Sequence, residues 1–218
     1  MPAERQPAPP RLPDDLTIEP ARGPIADGDE LARREVIGAI WVDLHVAAVH
    51  AGEVLFRDAD FTGSVFVDAV VRDAVFAQAK LANTTFRGGS LTRVLVQGGR
   101  LTGLQVAETE IRDCVWRACG ADMASFRHAR LERVTFEDCV LREADFTGLR
   151  GDWVRFHDCD LRGAGFGHAE LSRSEFRRCR MDDVEGVEGL RGTSMELEQM
   201  LTLAPAMARA LGVGLIAE

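Results

Sequence analysis

Residues 124–148 read ASFRH ARLER VTFED CVLRE ADFTG, which is five consecutive units of five residues. The third residue of each unit is large and apolar, and it alternates between phenylalanine and leucine from Phe126 to Phe146. The first residue of most units is small, as at Ala124 and Ala129. Self-similarity at a fixed short period is typical of a repeat architecture.

The same phase continues along the chain in both directions. The large position falls at residue numbers ending in 6 and 1 from Phe56 to Met181, and these positions include all eleven phenylalanines. In an extended chain, residues two apart point the same way, so the small and large residues of a unit face inward together. The chain must bend once per unit in one sense to keep both inside, which predicts a closed coil. Its predicted core includes Phe126, Phe136, Phe146, Phe156, Phe166 and Phe176.

The number of sides follows from a second period. Large residues alternate between aromatic and aliphatic every ten positions, so only a four-sided coil of twenty residues places phenylalanine on phenylalanine. Charges agree, since Asp73, Arg93 and Asp113 are twenty apart and alternate in sign. We predict a four-sided parallel β-solenoid over residues 39–192, with about seven coils at the ordinary strand spacing.

Three segments carry a family resemblance: Ala59–Gly63 (ADFTG), Ala144–Gly148 (ADFTG) and Cys159–Gly163 (CDLRG). They resemble the motif of the pentapeptide-repeat family, which is a small residue, often Asp or Asn, then Leu or Phe, then two polar residues. The resemblance implies an all-β solenoid, a right-handed quadrilateral parallel β-helix. It implies little about function, because most members of the family have none assigned.

The N-terminal segments lack the repeat. Residues 1–13 hold five prolines and no apolar stretch, so they are predicted to form a disordered tail rather than a signal peptide. Residues 14–38 are interpreted as an irregular N-terminal cap.

Residues 193–212 predict a C-terminal helical cap, because a solenoid exposes its last apolar layer unless something covers it. Thr193 and Glu196 match a capping box, and Pro205 can open a second short helix. In related pentapeptide proteins a C-terminal helical segment joins two rods, so a monomeric cap and a homodimer contact both stay open here. The apolar positions of this segment are Leu197, Met200, Leu201, Met207 and Leu211.

Residue types that carry catalysis occur here in arrangements that favour structural roles. The cysteines at twenty-residue spacing predict a ladder on one inner wall, and they are Cys119, Cys139, Cys159 and Cys179. A linear ladder cannot present four sulfurs tetrahedrally to one Zn²⁺, so we interpret them as packing residues. The sequence has no HExxH or phosphate-loop motif, and a filled solenoid offers no pocket. We therefore predict no catalytic, cofactor-binding or metal-binding residues and no enzyme activity.

Two surface patterns are unusual. One outward column is apolar over four coils and is named the apolar stripe: Leu55, Val75, Leu95 and Val115. Such a stripe predicts a contact surface, covered either by residues 14–38 or by a partner or second subunit. The other is a basic belt inside the acid-free segment 74–107, read either as a site for an acidic partner or as solvated charge: Lys80, Arg87, Arg93 and Arg100.

Charge and hydropathy limit the function. The net charge is −9, but residues 54–183 hold twenty acids and nineteen bases, which argues against direct nucleic-acid binding. No run of about 18 apolar residues occurs, so we expect no membrane span and a cytoplasmic location. The predicted function is a non-enzymatic scaffold that binds another protein through its rod faces. The alternative is a DNA mimic that binds DNA gyrase or another type II topoisomerase and protects it from inhibitors, as some family members do.

Overall fold

The computed structural model describes residues 6–20 and 23–214. It is a parallel β-solenoid of about nine turns followed by one α-helix, which confirms the predicted fold. Successive turns pair residues twenty apart, such as Phe136 with Phe156, so the coil has four sides. The predicted count of about seven turns was too low, because the regular turns already begin at residue 30.

The strands form two parallel sheets. In chain order they are β1 (Thr17–Pro20), β2 (Glu30–Ile37), β3 (His45–Ala47), β4 (His50–Arg57), β5 (Val65–Val67), β6 (Val70–Ala77), β7 (Thr85–Arg87), β8 (Ser90–Gln97), β9 (Glu110–Arg117), β10 (Arg130–Glu137), β11 (Arg150–His157), β12 (Glu170–Ser172), β13 (Glu175–Arg177) and β14 (Ser194–Met195). Strands β3, β5 and β7 form a short sheet, and the other strands form the main sheet. Single bridges between residues twenty apart continue the pairing on the remaining wall, as between Asp60 and Lys80.

One residue per unit makes the corner. It lies two positions after the large inward residue and adopts a left-handed conformation, with φ of 55° at Asp113 and 56° at His128. Asp, Asn and Gly tolerate this region, whereas Arg133 and Trp153 hold it against steric cost. We predicted one bend per unit without locating it. The signal was present, since Asp, Asn and Gly recur at residue numbers ending in 3 and 8.

The core is a double column of rings. Phe126 stacks on Phe146 at 5.1 Å between ring centroids, and Phe146 stacks on Phe166 at 4.9 Å. A second column on the opposite wall meets the first edge-on, as where Phe136 lies 6.1 Å from Phe146. Both geometries are favourable for aromatic pairs. Burial and ring contact therefore stabilise the same residues.

The N-terminal segments differ from the prediction. Instead of an irregular cap, residues 14–38 contain β1 and β2, which pair in parallel with Thr17 opposite Arg34. The predicted disordered tail is also corrected for residues 6–13, which lie along the outside of the rod. Residues 1–5 lie outside the described residues.

The C-terminal end carries a 3₁₀ turn, Val187–Leu190, and a single helix α1, Leu197–Ala210. The two predicted helices are one, because Pro205 lies inside α1. Leu201 and Pro205 are both exposed, so the Leu201 carbonyl that loses its helical donor faces solvent. The capping box is also shifted: it joins Glu196 and Gln199, while the Thr193 hydroxyl donates to the Leu190 carbonyl at 2.7 Å.

Candidate interaction surfaces

The apolar stripe forms one straight column on the main sheet. Leu55 pairs with Val75, Val75 with Leu95, and Leu95 with Val115, so the side chains lie one strand spacing apart. All four residues are half-buried although they point outward. The column becomes polar one turn later, at Thr135. This degree of burial is ordinary for the position, since Thr135 and Glu175 of the same column are half-buried as well.

Residues 6–13 lie along part of the stripe and are named here the proline strap. The Ala8 amide donates to Asp113 Oδ1 at 3.2 Å, and the Arg11 amide donates to Asp73 Oδ1 at 3.0 Å. Pro7 and Pro10 line one cavity together with Leu95, Val115 and other residues of this sheet face. We had named residues 14–38 as the self-cover, and the structure instead places the preceding segment there.

The strap follows the rod axis in an extended path. Asp73 and Asp113 lie two turns apart, which is about 9.6 Å at the ordinary strand spacing. Arg11 lies three positions after Ala8, and three residues of polyproline II helix rise about 9.3 Å. Most of the strap is half-buried, and its exposed residues are Gln6, Pro9 and Arg11. The spacing of the two hydrogen bonds therefore fits the pitch of a polyproline II segment that lies along the sheet.

Arginines of the rod orient the two aspartates that accept hydrogen bonds from the strap. Arg93 donates to both Asp73 oxygens at 2.6 Å, and Arg133 donates to Asp113 at 2.6 and 2.8 Å. The hydrogen bonds from Arg133 hold the pKa of Asp113 below its ordinary value, against the opposing effect of burial. At Asp73 burial opposes the shift, but the hydrogen bond from Arg93 still leaves the pKa lowered. Both carboxylates are therefore charged acceptors with restricted orientation.

A cavity of about 410 Å³ runs beside the strap. Besides the strap prolines and the stripe, polar groups of the next turns line it: Arg117, Thr135, Glu137, Arg155 and His157. His157 Nε2 lies 2.8 Å from Glu175 Oε1. The sheet face thus changes from apolar to charged along one continuous groove.

The predicted basic belt is spread over the rod. Lys80 and Arg100 share one wall, Arg87 belongs to the short sheet, and Arg93 lies at a corner of the main sheet. Lys80 is bonded to Asp60 at 3.1 Å, and Arg93 is bonded to Asp73. The structure does not bring the four residues together into one site.

Helix α1 has two apolar faces. Leu203, which the sequence analysis did not single out, is 1% exposed and packs on the end of the core, with Met207 partly buried beside it. On the same side Gln199 Nε2 donates to the Cys179 carbonyl at 3.4 Å. The remaining apolar residues predicted for this segment point outward, and they are Leu197 (76% exposed), Met200 (42%), Leu201 (67%) and Leu211 (80%).

The cysteines lie inside the walls. Each thiol of the ladder donates to the carbonyl two residues earlier at 3.3 Å, as Cys119 does to Arg117. Burial raises the pKa of Cys114 to about 12, and the hydrogen bond with Cys139 together with burial raises the pKa of Cys119. Among the described residues, no group of three or more His, Cys, Asp or Glu side chains is placed to hold a metal ion. No helix in the described part of the chain is long and apolar enough to span a membrane.

A closed coil with a filled core and two outward apolar surfaces defines a repeat scaffold. The family model described as pentapeptide repeat region matches residues 109–185, and the model described as pentapeptide repeats (8 copies) matches residues 55–93. The chain belongs to the pentapeptide-repeat family, which is a family of structural repeat scaffolds.

Solved structures of other pentapeptide-repeat proteins are similar to this chain. One is HetL, a pentapeptide repeat protein involved in heterocyst differentiation regulation in the cyanobacterium Nostoc, with 11% identity and a TM-score of 0.49 over 78% of this chain and 90% of that chain. Another is trypsin-treated QnrB1, a plasmid-mediated fluoroquinolone resistance protein, with 17% identity and a TM-score of 0.38 over 92% of this chain and 100% of that chain. No curated protein matches the sequence. Nothing about function follows from similarities at this level.

Proposed function

We propose that the chain is a non-enzymatic scaffold that binds another protein, and that the outer face of α1 makes the contact. The observation that carries this is an apolar surface outside the rod, at the end of a core that is already closed. Leu203 seals the last turn from one side of the helix. The apolar residues on the opposite side therefore have no role in closing the rod.

The outer face has the spacing of a helix-packing surface. Leu197, Met200, Leu201, Ala204 and Ala208 follow the i, i+3, i+4, i+7 pattern of one helical stripe. Glu198, Thr202 and Arg209 lie beside this stripe rather than in it. A continuous exposed apolar patch of this kind marks a protein contact.

A second copy of the chain is the first partner that this face fits. A stripe without charges can meet its own copy around a two-fold axis, because the same patch then serves both subunits. The resemblance to pentapeptide proteins that dimerise through C-terminal helices supports the same arrangement. In this arrangement Leu203 closes the rod end and Leu201 contacts the second copy. The helix then acts both as a cap and as a dimer contact, which the sequence leaves open as alternatives.

Light scattering of the full-length protein at several concentrations tests this contact. We expect a dimer for the wild type and a monomer for Leu201→Asp, because an aspartate would be buried without a partner. Thr202→Asp is the matched control, since it adds the same charge to a polar, exposed position of α1 and should leave the dimer intact. A monomeric wild type that also recovers no protein partner from a host extract would refute the proposal.

The gyrase-binding alternative stays a prediction. A DNA mimic needs a surface of continuous negative charge, whereas the corner column alternates in sign through Asp73, Arg93, Asp113 and Arg133. A gyrase supercoiling assay decides it, and an absence of any effect at micromolar protein would remove the idea. A cytoplasmic location, also a prediction, would keep the buried thiols reduced.

A further inference from the structure

The proline strap and the sheet face beneath it are related as a ligand and its site. We infer that this face is a recognition site for proline-rich peptides, that the strap is its resident pseudo-ligand, and that a proline-rich segment of a partner protein binds there in the strap's place. The inference goes beyond the α1 contact and rests on the proposed role as a protein-binding scaffold.

The first argument is the match of two repeats. A polyproline II helix presents the same edge every three residues, and the rod presents equivalent side chains every turn. Three peptide residues and two turns have nearly the same length, so one peptide edge stays in register with the stripe. Pro7, Pro10 and Pro13 share this spacing and are half-buried, as are Ala8 and Leu12 beside them.

The second argument is the pair of hydrogen bonds between the strap amides and the rod carboxylates. Ala8 and Arg11 each follow a strap proline that faces the sheet, and each donates its amide to a carboxylate. Proline has no amide hydrogen, so these two positions must be occupied by other residues. The site therefore selects the pattern Pro-X-x-Pro-X-x-Pro, where X is any residue except proline. Its direction is fixed as well, because the N-terminal end of the peptide lies toward Asp113.

The third argument concerns which molecule supplies the peptide. Only residues 14–16 separate the strap from β1, which is paired to its own rod. A second copy could lend its strap only by bringing its whole rod alongside, whereas a free segment of another protein has no such restriction. The groove also continues past the stripe to Thr135 and His157, where an incoming segment meets polar groups.

The test measures binding of a fluorescent peptide with the sequence of residues 6–13 to the full-length protein. The strap is loosened in one variant by Pro7→Gly, Pro10→Gly and Pro13→Gly, which favour other conformations than polyproline II. We expect at least about tenfold tighter peptide binding to this variant than to the wild type, since the attached strap competes at roughly millimolar effective concentration. A control peptide with proline at positions 8 and 11 keeps the conformation but lacks both donors, and it should bind about tenfold more weakly or worse.

Two further variants test the site in the loosened background. Asp73→Asn with Asp113→Asn should weaken peptide binding by about tenfold, since two charge-assisted hydrogen bonds become neutral. Asp58→Asn with Asp158→Asn is the matched control, because both aspartates are left-handed corner residues at another corner of the coil. Leu201→Asp should leave peptide binding unchanged, so failure of the α1 contact and failure of this inference are distinguishable.

Three outcomes overturn the inference. One is a loosened variant that keeps the wild-type circular dichroism spectrum and melting temperature but binds neither peptide. Another is equal binding of the two peptides. The third is a loosened variant that excludes the peptide because it dimerises through exchanged straps. Hydrogen exchange on the wild type gives an independent measurement: the amides of Ala8 and Arg11 should be protected and should lose protection when excess peptide is added.

Discussion

The two halves of the rod share one repeat but bury their apolar surface differently. In the C-terminal half, Phe146, Phe156, Phe166 and Phe176 are fully buried, while Phe86 in the N-terminal half is 8% exposed. Two aromatic columns run without interruption through the C-terminal half, from Trp116 and Phe126 onward. The N-terminal half has shorter stacks, Phe56 on Phe76 at 4.8 Å and Phe66 on Phe86 at 5.0 Å, and the columns break next to it, where Val96 and Val106 take the inward positions.

On the outside of the rod, by contrast, the apolar surface lies mainly toward the N-terminal half. The outward column is apolar in the N-terminal half and as far as Val115, and the proline strap lies along it between Asp73 and Asp113, at the middle of the rod. In the C-terminal half the same column continues as Thr135, Arg155 and Glu175, and the described strap does not extend over Glu175. A small void of about 30 Å³ also lies among the rings of the N-terminal half.

The comparison teaches that a five-residue repeat specifies the coil but leaves open where stabilising burial is placed. The C-terminal half relies on continuous ring stacking inside the walls. The N-terminal half has less aromatic contact inside. Its apolar stripe adds burial outside, through contact with the proline strap, which is not part of the repeat. The C-terminal half should therefore respond most to core substitutions, and the N-terminal half should respond more to changes in the strap.

The largest expected effect is in the C-terminal core. Phe146→Ala removes a ring that contacts Phe126 and Phe166 along its column and Phe136 across it, and we expect a loss of about 3–5 kcal/mol in the free energy of unfolding. Phe86→Ala, in the same column of the N-terminal half, removes a ring that stacks on Phe66 alone among the described residues, and we expect a smaller loss of about 3 kcal/mol. Urea unfolding measures both values. Equal losses at the two positions would contradict the difference between the halves.

Hydrogen exchange sharpens the same comparison. Each turn of a solenoid contacts only its neighbours, so Phe146→Ala should lower amide protection mainly in the C-terminal half. Uniform loss of protection across the rod would show that the halves unfold together.

The next effect is at the C-terminal cap. Leu203→Ala opens a cavity against the last turn and should lower the free energy of unfolding by about 2–5 kcal/mol. Leu201→Ala on the opposite side of α1 should change the stability of the monomer by less than about 0.5 kcal/mol. Thermal unfolding at low protein concentration separates this effect from the dimer contact. Similar losses for both variants would mean that α1 does not have one sealing and one free face.

Much of the fold could be predicted from the sequence, because the information is local and periodic. The phenylalanine period gave the inward column and the number of sides, and charges twenty apart gave pairs such as Asp73 with Arg93. The left-handed corners were missed although their residue types recur at fixed positions. The number of turns was too low because Leu31 and Val36 belong to a turn that lacks the small-residue pattern.

The strap could not be predicted, for a physical reason. Its two hydrogen bonds join residues 62 and 105 positions apart, and no local pattern encodes such a contact. Proline-rich composition normally indicates disorder because it offers little apolar surface to bury. Here the apolar surface is supplied by the rod, so the segment is ordered by its partner rather than by its own sequence. The signal that was available is the three-residue spacing of Pro7, Pro10 and Pro13 opposite a stripe that needed a cover.

The smallest expected effect is the response of the strap to acid. The pKa of Asp113 is lowered in the folded protein, so its charge adds stability that is fully present above the ordinary value of 3.8 and is lost as the pH falls through the folded value. We expect the strap to detach from the rod in acid before the coil unfolds, because the described strap is anchored by hydrogen bonds to two titrating aspartates, whereas the coil is also held by its buried ring columns. We expect the Ala8 amide to lose hydrogen-exchange protection as the pH falls below the ordinary Asp value of 3.8, while core amides such as that of Phe146 stay protected.

Asp113→Asn removes the titrating group while keeping a side chain that tolerates the corner conformation. The variant should show weaker protection of Ala8 at neutral pH and little further change in acid, and Asp158→Asn should behave like the wild type. A wild-type strap that is released together with the core would contradict the view that the N-terminal half is covered from outside by a separable segment. Release of the strap alone would show that the stripe becomes accessible while the four-sided coil stays folded.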